Sequence, residues 1–464
     1  MSRTAYFYHE DVSGYHYGAG HPMKPARLKL THELVVGYDL HRALSCYRPH
    51  QASPVEMASF HTEEYVDFLS RITPEVAREY AEACTRHAVG EFTDCPPFPG
   101  VFNYCQMFAG GSIDAAVQLN HGVVDTAINW AGGMHHAKKN EASGFCYVND
   151  IVLAILELLK YHARVLYIDI DIHHGDGVEE AFFHTDRVMT FSLHKFGDFF
   201  PGTGSLADQG TGTGSGYALN FPLSDGITDD TYISIYKPLL DAIMAHFQPG
   251  AIVMCCGADS LTGDRLGVFN LTLRGHAAAI KLAQSYGVPL MLLGGGGYTP
   301  RNVARCWAYE TSVVLNHELQ DSLPEHEYLP YYRDNGFRLH LNPSTEMPDT
   351  NPKDLLHASL GSLMDRLRHL QAAPSAPFQD VPADNITSAI GSASRGNGGD
   401  LEDQYSPDVR MPRQGSLGMP APEPRPPAHQ FNAALHAAPE HSAAAARASI
   451  LAGDKGEHTD DVVS

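Results

Sequence analysis

The 464-residue chain has no Cys-x-x-Cys pair among its eight cysteines, which removes the spacing of zinc ribbons and dithiol redox motifs. Cys255-Cys256 falls inside an apolar stretch, so the cysteines read as buried free thiols of a reducing compartment, and no disulfides are expected. No run approaches the ~20 apolar residues of a membrane span, and the N-terminus carries no apolar signal segment. A soluble cytosolic or nuclear protein is expected. Basic residues are scarce, with 32 Lys and Arg against 54 Asp and Glu and a formal charge of −22. That balance argues against unaided binding to nucleic acid, whose phosphates need a basic face, and favours basic protein substrates. Internal repeats are absent too.

Composition shifts near residue 373. Beyond it Pro, Ala, Ser, Gly and His dominate, Tyr405 is the only Tyr or Trp, and 12 acidic residues stand against 6 basic ones. Such a segment cannot bury enough surface to order itself, so 373–464 is expected to be a disordered tail, with 443–451 a short helix at most, formed on a partner. Most of the negative charge lies in 1–372, expected to form one domain. Strand-like runs near 165, 188, 252 and 290 alternate with helical stretches such as Ile151–Leu159, the pattern of an α/β fold.

The most informative stretch is Arg164-Val-Leu-Tyr-Ile-Asp169-Ile-Asp171-Ile-His173-His174-Gly175-Asp176-Gly177. A strand buried on both faces ends there in carboxylates and imidazoles. A period of two puts Asp169, Asp171 and His173 on one side and isoleucines on the other. Ligands of open α/β sheets sit at the carboxyl ends of strands, where this cluster falls. Ala251-Ile-Val-Met-Cys-Cys-Gly257-Ala-Asp259 delivers a further carboxylate after a buried strand, and Pro289-Leu-Met-Leu-Leu-Gly294-Gly-Gly-Gly297-Tyr298 delivers a tyrosine after a glycine run. Asp171, His173 and Asp259 then make a mixed N/O set of three, the donor count of a catalytic zinc site. Adjacent histidines are rarely needed for packing. His135-His136 lies between a glycine pair and Gly144-Phe145-Cys-Tyr147, which suits a positioned acid/base pair, with Asp169 and Asp176 able to fix one tautomer each.

These residues and their surroundings resemble the class I histone deacetylases, most nearly the type 3 branch. The likeness runs from about Tyr6 to about Leu370 through Tyr17-Gly-Ala-Gly-His-Pro-Met-Lys-Pro25, His135-His-Ala-Lys-Lys139, Ile168-Asp-Ile-Asp-Ile-His-His-Gly-Asp-Gly177, Phe200-Pro-Gly-Thr-Gly204, Gly263-Asp-Arg-Leu-Gly267 and Gly294-Gly-Gly-Gly-Tyr-Thr299. The resemblance implies an arginase/deacetylase-like fold: a single parallel sheet of about eight strands flanked by helices, with the active site at the strand C-terminal ends. It implies zinc on Asp171, His173 and Asp259, with Asp169 and Asp176 supporting the histidines. Tyr298 would polarise the acetyl carbonyl of an acetyl-lysine, His136 would take a proton from the attacking water and return it to the leaving amine, and His135 would be its electrostatic partner. Gly144, Phe145, Phe200 and Leu266 would grip the lysine methylenes, although without the resemblance both phenylalanines read as core. Asp94 would hold the substrate at the rim.

The same likeness implies structural potassium at Asp169, Asp171, His173, Ser192 and Leu193, and again at Phe182, Thr185, Val188 and Tyr217, a set that spacing alone does not reveal. His16, Gly20, Lys24, Arg265 and Arg301 match a surface pocket that holds an inositol polyphosphate between related enzymes and a corepressor. The expected partners are acetylated histone tails and corepressor scaffolds, in the nucleus or also the cytoplasm, with neither nucleic acid nor membrane bound directly. The chain departs from the family at Gly90-Glu-Phe92-Thr93-Asp94-Cys-Pro96, two residues longer than usual before Asp94. A small-molecule amidohydrolase acting on acetylated polyamines and a non-enzymatic scaffold are the rival readings.

Overall fold

Val165-Leu-Tyr-Ile-Asp169 forms a strand because β-branched and aromatic side chains suit a pleated surface covered on both sides, and all five residues are buried. Its alternation splits the side chains between two cores. Val165 and Tyr167 join one, with Val253, Cys255, Met291 and Leu293; Leu166 and Ile168 join the other, with Ile252, Met254, Leu290 and Leu292. The computed structural model describes residues 3–371; the tail expected at 373–464 lies outside the described residues.

Eight strands make one all-parallel sheet, as expected: β1 (Thr4–Phe7), β2 (Ser45–Tyr47), β3 (Thr126–Asn129), β4 (Val165–Asp169), β5 (Val188–Lys195), β6 (Ala218–Leu223), β7 (Ala251–Cys255) and β8 (Leu290–Leu293). The order is β2-β1-β3-β8-β7-β4-β5-β6. From β4 the chain runs outward through β5 and β6, then returns to insert β7 and β8 between β4 and β3. Asn129, Leu293, Cys255, Asp169 and Ser192 consequently lie in one row across the sheet. The loops leaving β3, β8, β7 and β4 emerge side by side at the crevice where ligands of such sheets bind.

The helix Asp150–Leu158 and the C-terminal part of Val101–Asn120 (Ala115, Ala116, Leu119) cover one face, while the rest of Val101–Asn120 joins Ala26–Gly37, Asp229–His246, Leu273–Gln284 and Pro300–Val314 in the core of the other. All eight cysteines are free thiols, and no helix among the described residues is long and apolar enough to cross a membrane. One detail differs from the sequence expectation. Extended backbone stops at Asp169, and Asp171 and His173 lie on bends; Ile170 and Ile172 still face the core.

Candidate active site

Each candidate chemical group leaves the sheet at a strand end. His135 and His136 follow β3, Asp169 closes β4 with Asp171 and His173 just beyond, Asp259 follows β7 on the short 3-10 turn Ala258–Ser260, and Tyr298 follows β8. Asp171 accepts hydrogen bonds from the Gly296 backbone N–H (2.7 Å) and the His173 backbone N–H (2.9 Å), and Asp259 accepts from that of Ile172 (3.1 Å). Backbone thus aims both carboxylates. His173 Nδ1 lies 3.0 Å from Asp171 Oδ1 and 3.1 Å from Asp259 Oδ2. Glycine is required alongside, since a Cβ at Gly296 would stand 1.9 Å from Asp259 Oδ2.

The ligand atoms of these three residues lie within 4.8 Å of one another, and all three residues are buried. Burial and the nearby Asp171 push the Asp259 carboxyl up to about 7. Against the cost of burial, His135 and His173 hold Asp171 well below the usual carboxylate range. Two buried carboxylates that resist ionising together, beside one imidazole, form a donor set that a divalent cation such as Zn2+ fits.

The two histidines differ in charge. His135 Nδ1–H donates to Asp169 (2.8 Å) and His136 Nδ1–H to Asp176 (2.7 Å), with ring centroids 3.9 Å apart. Burial disfavours charge on both, but Asp169 and Asp171 raise His135 to about 9, whereas burial and the charged His135 lower His136 to about 3. At neutral pH in the metal-free protein the pair therefore comprises an imidazolium and a free base whose Nε2 can accept a proton. The ring of His136 meets Phe200 edge-on at 4.9 Å, and Phe145 meets Tyr298 edge-on at 5.6 Å. Gly144 sits between: a Cβ there would come within 2.4 Å of His136 and 2.9 Å of Phe200. Gly144, His136 and Phe200 are thus packed against one another, with Phe145, the next residue, against Tyr298. Leu266 is half-buried nearby in sequence to the site, and Asp264 ties it in by accepting the N–H groups of Leu266 (2.9 Å) and Tyr298 (2.7 Å).

The outlying candidates are arranged as follows. Asp94 is exposed and one of its oxygens accepts the Gly144 N–H (2.9 Å). Ser192 pairs in register with Asp169 on β5, next to Leu193, and its hydroxyl meets His194 at 2.8 Å. The Thr185 N–H donates to the Phe182 carbonyl (3.2 Å) just before Val188 opens β5, and the Tyr217 hydroxyl accepts from Arg164 (3.3 Å). Lys24 is buried and its ammonium pKa is lowered by burial and by Arg265, as His16 is lowered by burial and by Lys24, so the three basic groups lie within electrostatic reach of one another; His16 also lines, with Asp11, Gly14, Tyr15 and Pro99, a cavity of about 420 Å³. Gly20 is exposed on the turn between His16 and Lys24, and Arg301 pairs loosely with Asp334 (3.9 Å).

Four contributors carried no assigned role from sequence. Tyr167 O–H donates to Asp169 (2.6 Å), Lys138 Nζ to Asp176 (2.6 Å), and buried Arg27 to the carbonyls of Gly295 (2.5 Å) and Gly297 (2.8 Å). Asp264 is the fourth. Lys138 and Asp264 stood inside conspicuous motifs, while Arg27 lies 268 residues from Gly295, beyond any local signal.

Residues 21–314 match the histone deacetylase domain. The chain is 53% identical over 409 residues to Type-1 histone deacetylase 1 of Dictyostelium discoideum, covering 88% of this chain and 80% of that protein. Over 384 residues it is 54% identical to histone deacetylase 1 of Homo sapiens, covering 83% and 79%. Histone deacetylase HDAC1 of Drosophila melanogaster is 52% identical over 411 residues, covering 89% and 76%.

Proposed function

This chain belongs to the histone deacetylase family, and from that premise we propose how its residues divide the hydrolysis of N6-acetyl-lysine on histones. Asp171, His173 and Asp259 are the zinc ligands; Zn2+ bound there would act as a Lewis acid toward the acetyl carbonyl and make water a better nucleophile at neutral pH. His136, kept neutral and with Nδ1–H committed to Asp176, accepts the proton of the attacking water at Nε2. It then returns that proton to the departing lysine amine as acetate forms. The Tyr298 hydroxyl donates to the carbonyl oxygen as negative charge develops, and the His135 imidazolium, anchored by Asp169, adds positive charge beside it. Gly144, Phe145, Phe200 and Leu266 enclose the methylenes, and Asp94 holds substrate backbone at the rim.

The observation that carries this reading is the convergence, at four neighbouring strand ends, of two His–Asp dyads, a three-donor metal set and a tyrosine. Its test is acetyl-peptide hydrolysis after metal stripping and zinc return. Activity should vanish and come back in the parent, while Asp171→Ala and Asp259→Ala should neither retain zinc nor hydrolyse. Hydrolysis at the parent rate by either variant would defeat the assignment, and faster turnover of acetylated diamines than of acetyl-lysine peptides would move the substrate class.

Within class I we favour the type 3 branch, on the motif set from Tyr6 to Leu370. Potassium at the set around Ser192 is supported by its adjacency to Asp169 in the sheet, and at the Phe182, Thr185, Val188 and Tyr217 set only by the family likeness. The grouping of His16, Lys24 and Arg265 supports an inositol polyphosphate, joined by Gly20 and Arg301, and through it a corepressor scaffold. Residues 1–372 would be the catalytic domain, and the enzyme would act in the nucleus, where its histone substrate is, with the cytoplasm a further location.

A further inference from the structure

One fully buried ionisable cluster takes no part in the chemistry above. His276, on the helix Leu273–Gln284, and Glu310, on the helix Pro300–Val314, are both 0% exposed and joined through His276 Nδ1 and Glu310 Oε1. Burying such a pair is costly, and replacement by apolar residues is often neutral or stabilising, so its placement needs a reason. Cys306 Sγ also donates to Glu310 Oε1 (3.4 Å), while Glu310 Oε2 is buried with no hydrogen-bond partner among the described residues. A carboxylate placed only to satisfy itself would not leave an oxygen orphaned.

The other ring nitrogen supplies the reason. His276 Nε2 lies 3.0 Å from the carbonyl oxygen of Gly257, an atom that can only accept, so Nε2 carries a hydrogen. With Glu310 holding Nδ1, the ring cannot turn away. The neighbouring carbonyl, of Cys256, accepts the indole N–H of Trp307 at 2.9 Å. Two consecutive carbonyls just past β7 are therefore gripped from two different helices. This is the point where the chain turns from β7 into Ala258–Ser260, bringing Asp259 to the site. Space there is tight, because a Cβ on Gly257 would stand 2.0 Å from Asp171 Oδ2. Within the turn, Ser260 Oγ also donates to the Gly257 carbonyl (3.2 Å), but it moves with the turn and cannot anchor it to the helices.

We propose that the Glu310–His276 pair, together with Trp307, is a clamp that holds the Cys256–Gly257 peptides and so sets the position of Asp259 relative to Asp171 and His173. These are positioning residues. The proposal depends on those three being the metal ligands, and its consequence is preorganisation: without the clamp the Asp259 carboxylate must be ordered by the metal itself. Outer partners of metal ligands typically contribute about 10–100-fold in metal affinity.

The test is zinc affinity, measured on metal-stripped protein by competition with a chromophoric chelator, with the melting temperature of the metal-free protein taken in parallel. Glu310→Gln should retain the clamp, since the amide N–H2 can donate to Nδ1 and leave Nε2–H on Gly257. The double variant His276→Leu, Glu310→Gln removes the grip on the Gly257 carbonyl without stranding a buried charge, and should weaken zinc binding by about 10–100-fold. Cys306→Ala disturbs the same buried cluster without touching the turn, and should alter melting but not zinc affinity. Parent-like zinc binding by the double variant, or an equal loss in Cys306→Ala, would overturn the proposal. Should the double variant fail to fold, Trp307→Phe removes the second grip alone and must by itself weaken zinc binding; parent-like affinity there is likewise fatal. A parent protein that holds no zinc would overturn the ligand assignment rather than the clamp.

Discussion

At the residue scale, each chemical task is assigned to a group whose surroundings have already decided its charge. Tyr298 keeps its proton because burial, then Asp259 and Asp171, push its hydroxyl well above the ordinary phenol value. Tyr298→Phe should therefore keep zinc and lose about 10²–10³-fold in turnover, the usual consequence of removing one oxyanion donor, as read by steady-state kinetics alongside metal content. The histidines give a pH dependence of definite sign. His135 at about 9 and His173 at about 10 are raised above the unfolded value of about 6.5. Their stabilisation is complete below about 6.5 and is lost as pH rises through 9 to 10, so metal-free protein should melt progressively lower across that window. Zinc needs the His173 imidazole neutral, so loading the metal should flatten the alkaline decline. Parallel melting curves with and without zinc would contradict this.

At the element scale, function sits on short loops that rigid elements hold at both ends. The rim segment before Asp94 shows how closely. The Thr93 hydroxyl is consumed inside the loop, donating to the Gly90 carbonyl (3.0 Å) and accepting the Cys95 N–H (3.2 Å). Phe92, by contrast, is 96% exposed. The ring is thus the part of the insertion open to a partner, and Phe92→Ala should reorder inhibitors that differ only in bulky caps while leaving a small capless hydroxamate unchanged. Equal shifts for both classes would mean that the loop supports the whole site. The loop bearing Phe200 is held by the same means: His174 meets the Thr203 hydroxyl and His194 the Gly204 carbonyl, each at 2.8 Å.

At the scale of the whole molecule, the acidic surface bears on substrate capture. With a formal charge of −22, most of it ahead of residue 373, a basic acetylated peptide is attracted before it docks. That attraction is screened beyond about 8 Å at physiological salt. KM for a lysine-rich acetyl-peptide should rise with ionic strength while kcat holds, and an uncharged acetyl-lysine derivative should show a flat KM. A salt effect on kcat instead would place the sensitivity in the site.

Read from its sequence alone, the protein declares which residues are chemical. The Asp-Ile-Asp-Ile-His run, Asp259, Tyr298 and the His135-His136 pair are legible because polar groups at the end of a buried apolar strand cost too much to be accidental. The same reading locates β4, β5, β7 and β8, whose apolar runs are strong, but not β1, β2, β3 or β6, which have three to six residues and little pattern of their own. Tertiary structure decided which strand ends are neighbours, because the return of β7 and β8 between β3 and β4 is a matter of sheet order, not of local pattern. It also decided the charge of each imidazole, since His135 and His136 are adjacent and chemically identical in the sequence and differ only in the carboxylates and burial around them. Arg27, Lys138, His276 and Glu310 belong to the same class: their roles come from partners distant in the chain, and only folding brings those partners within reach.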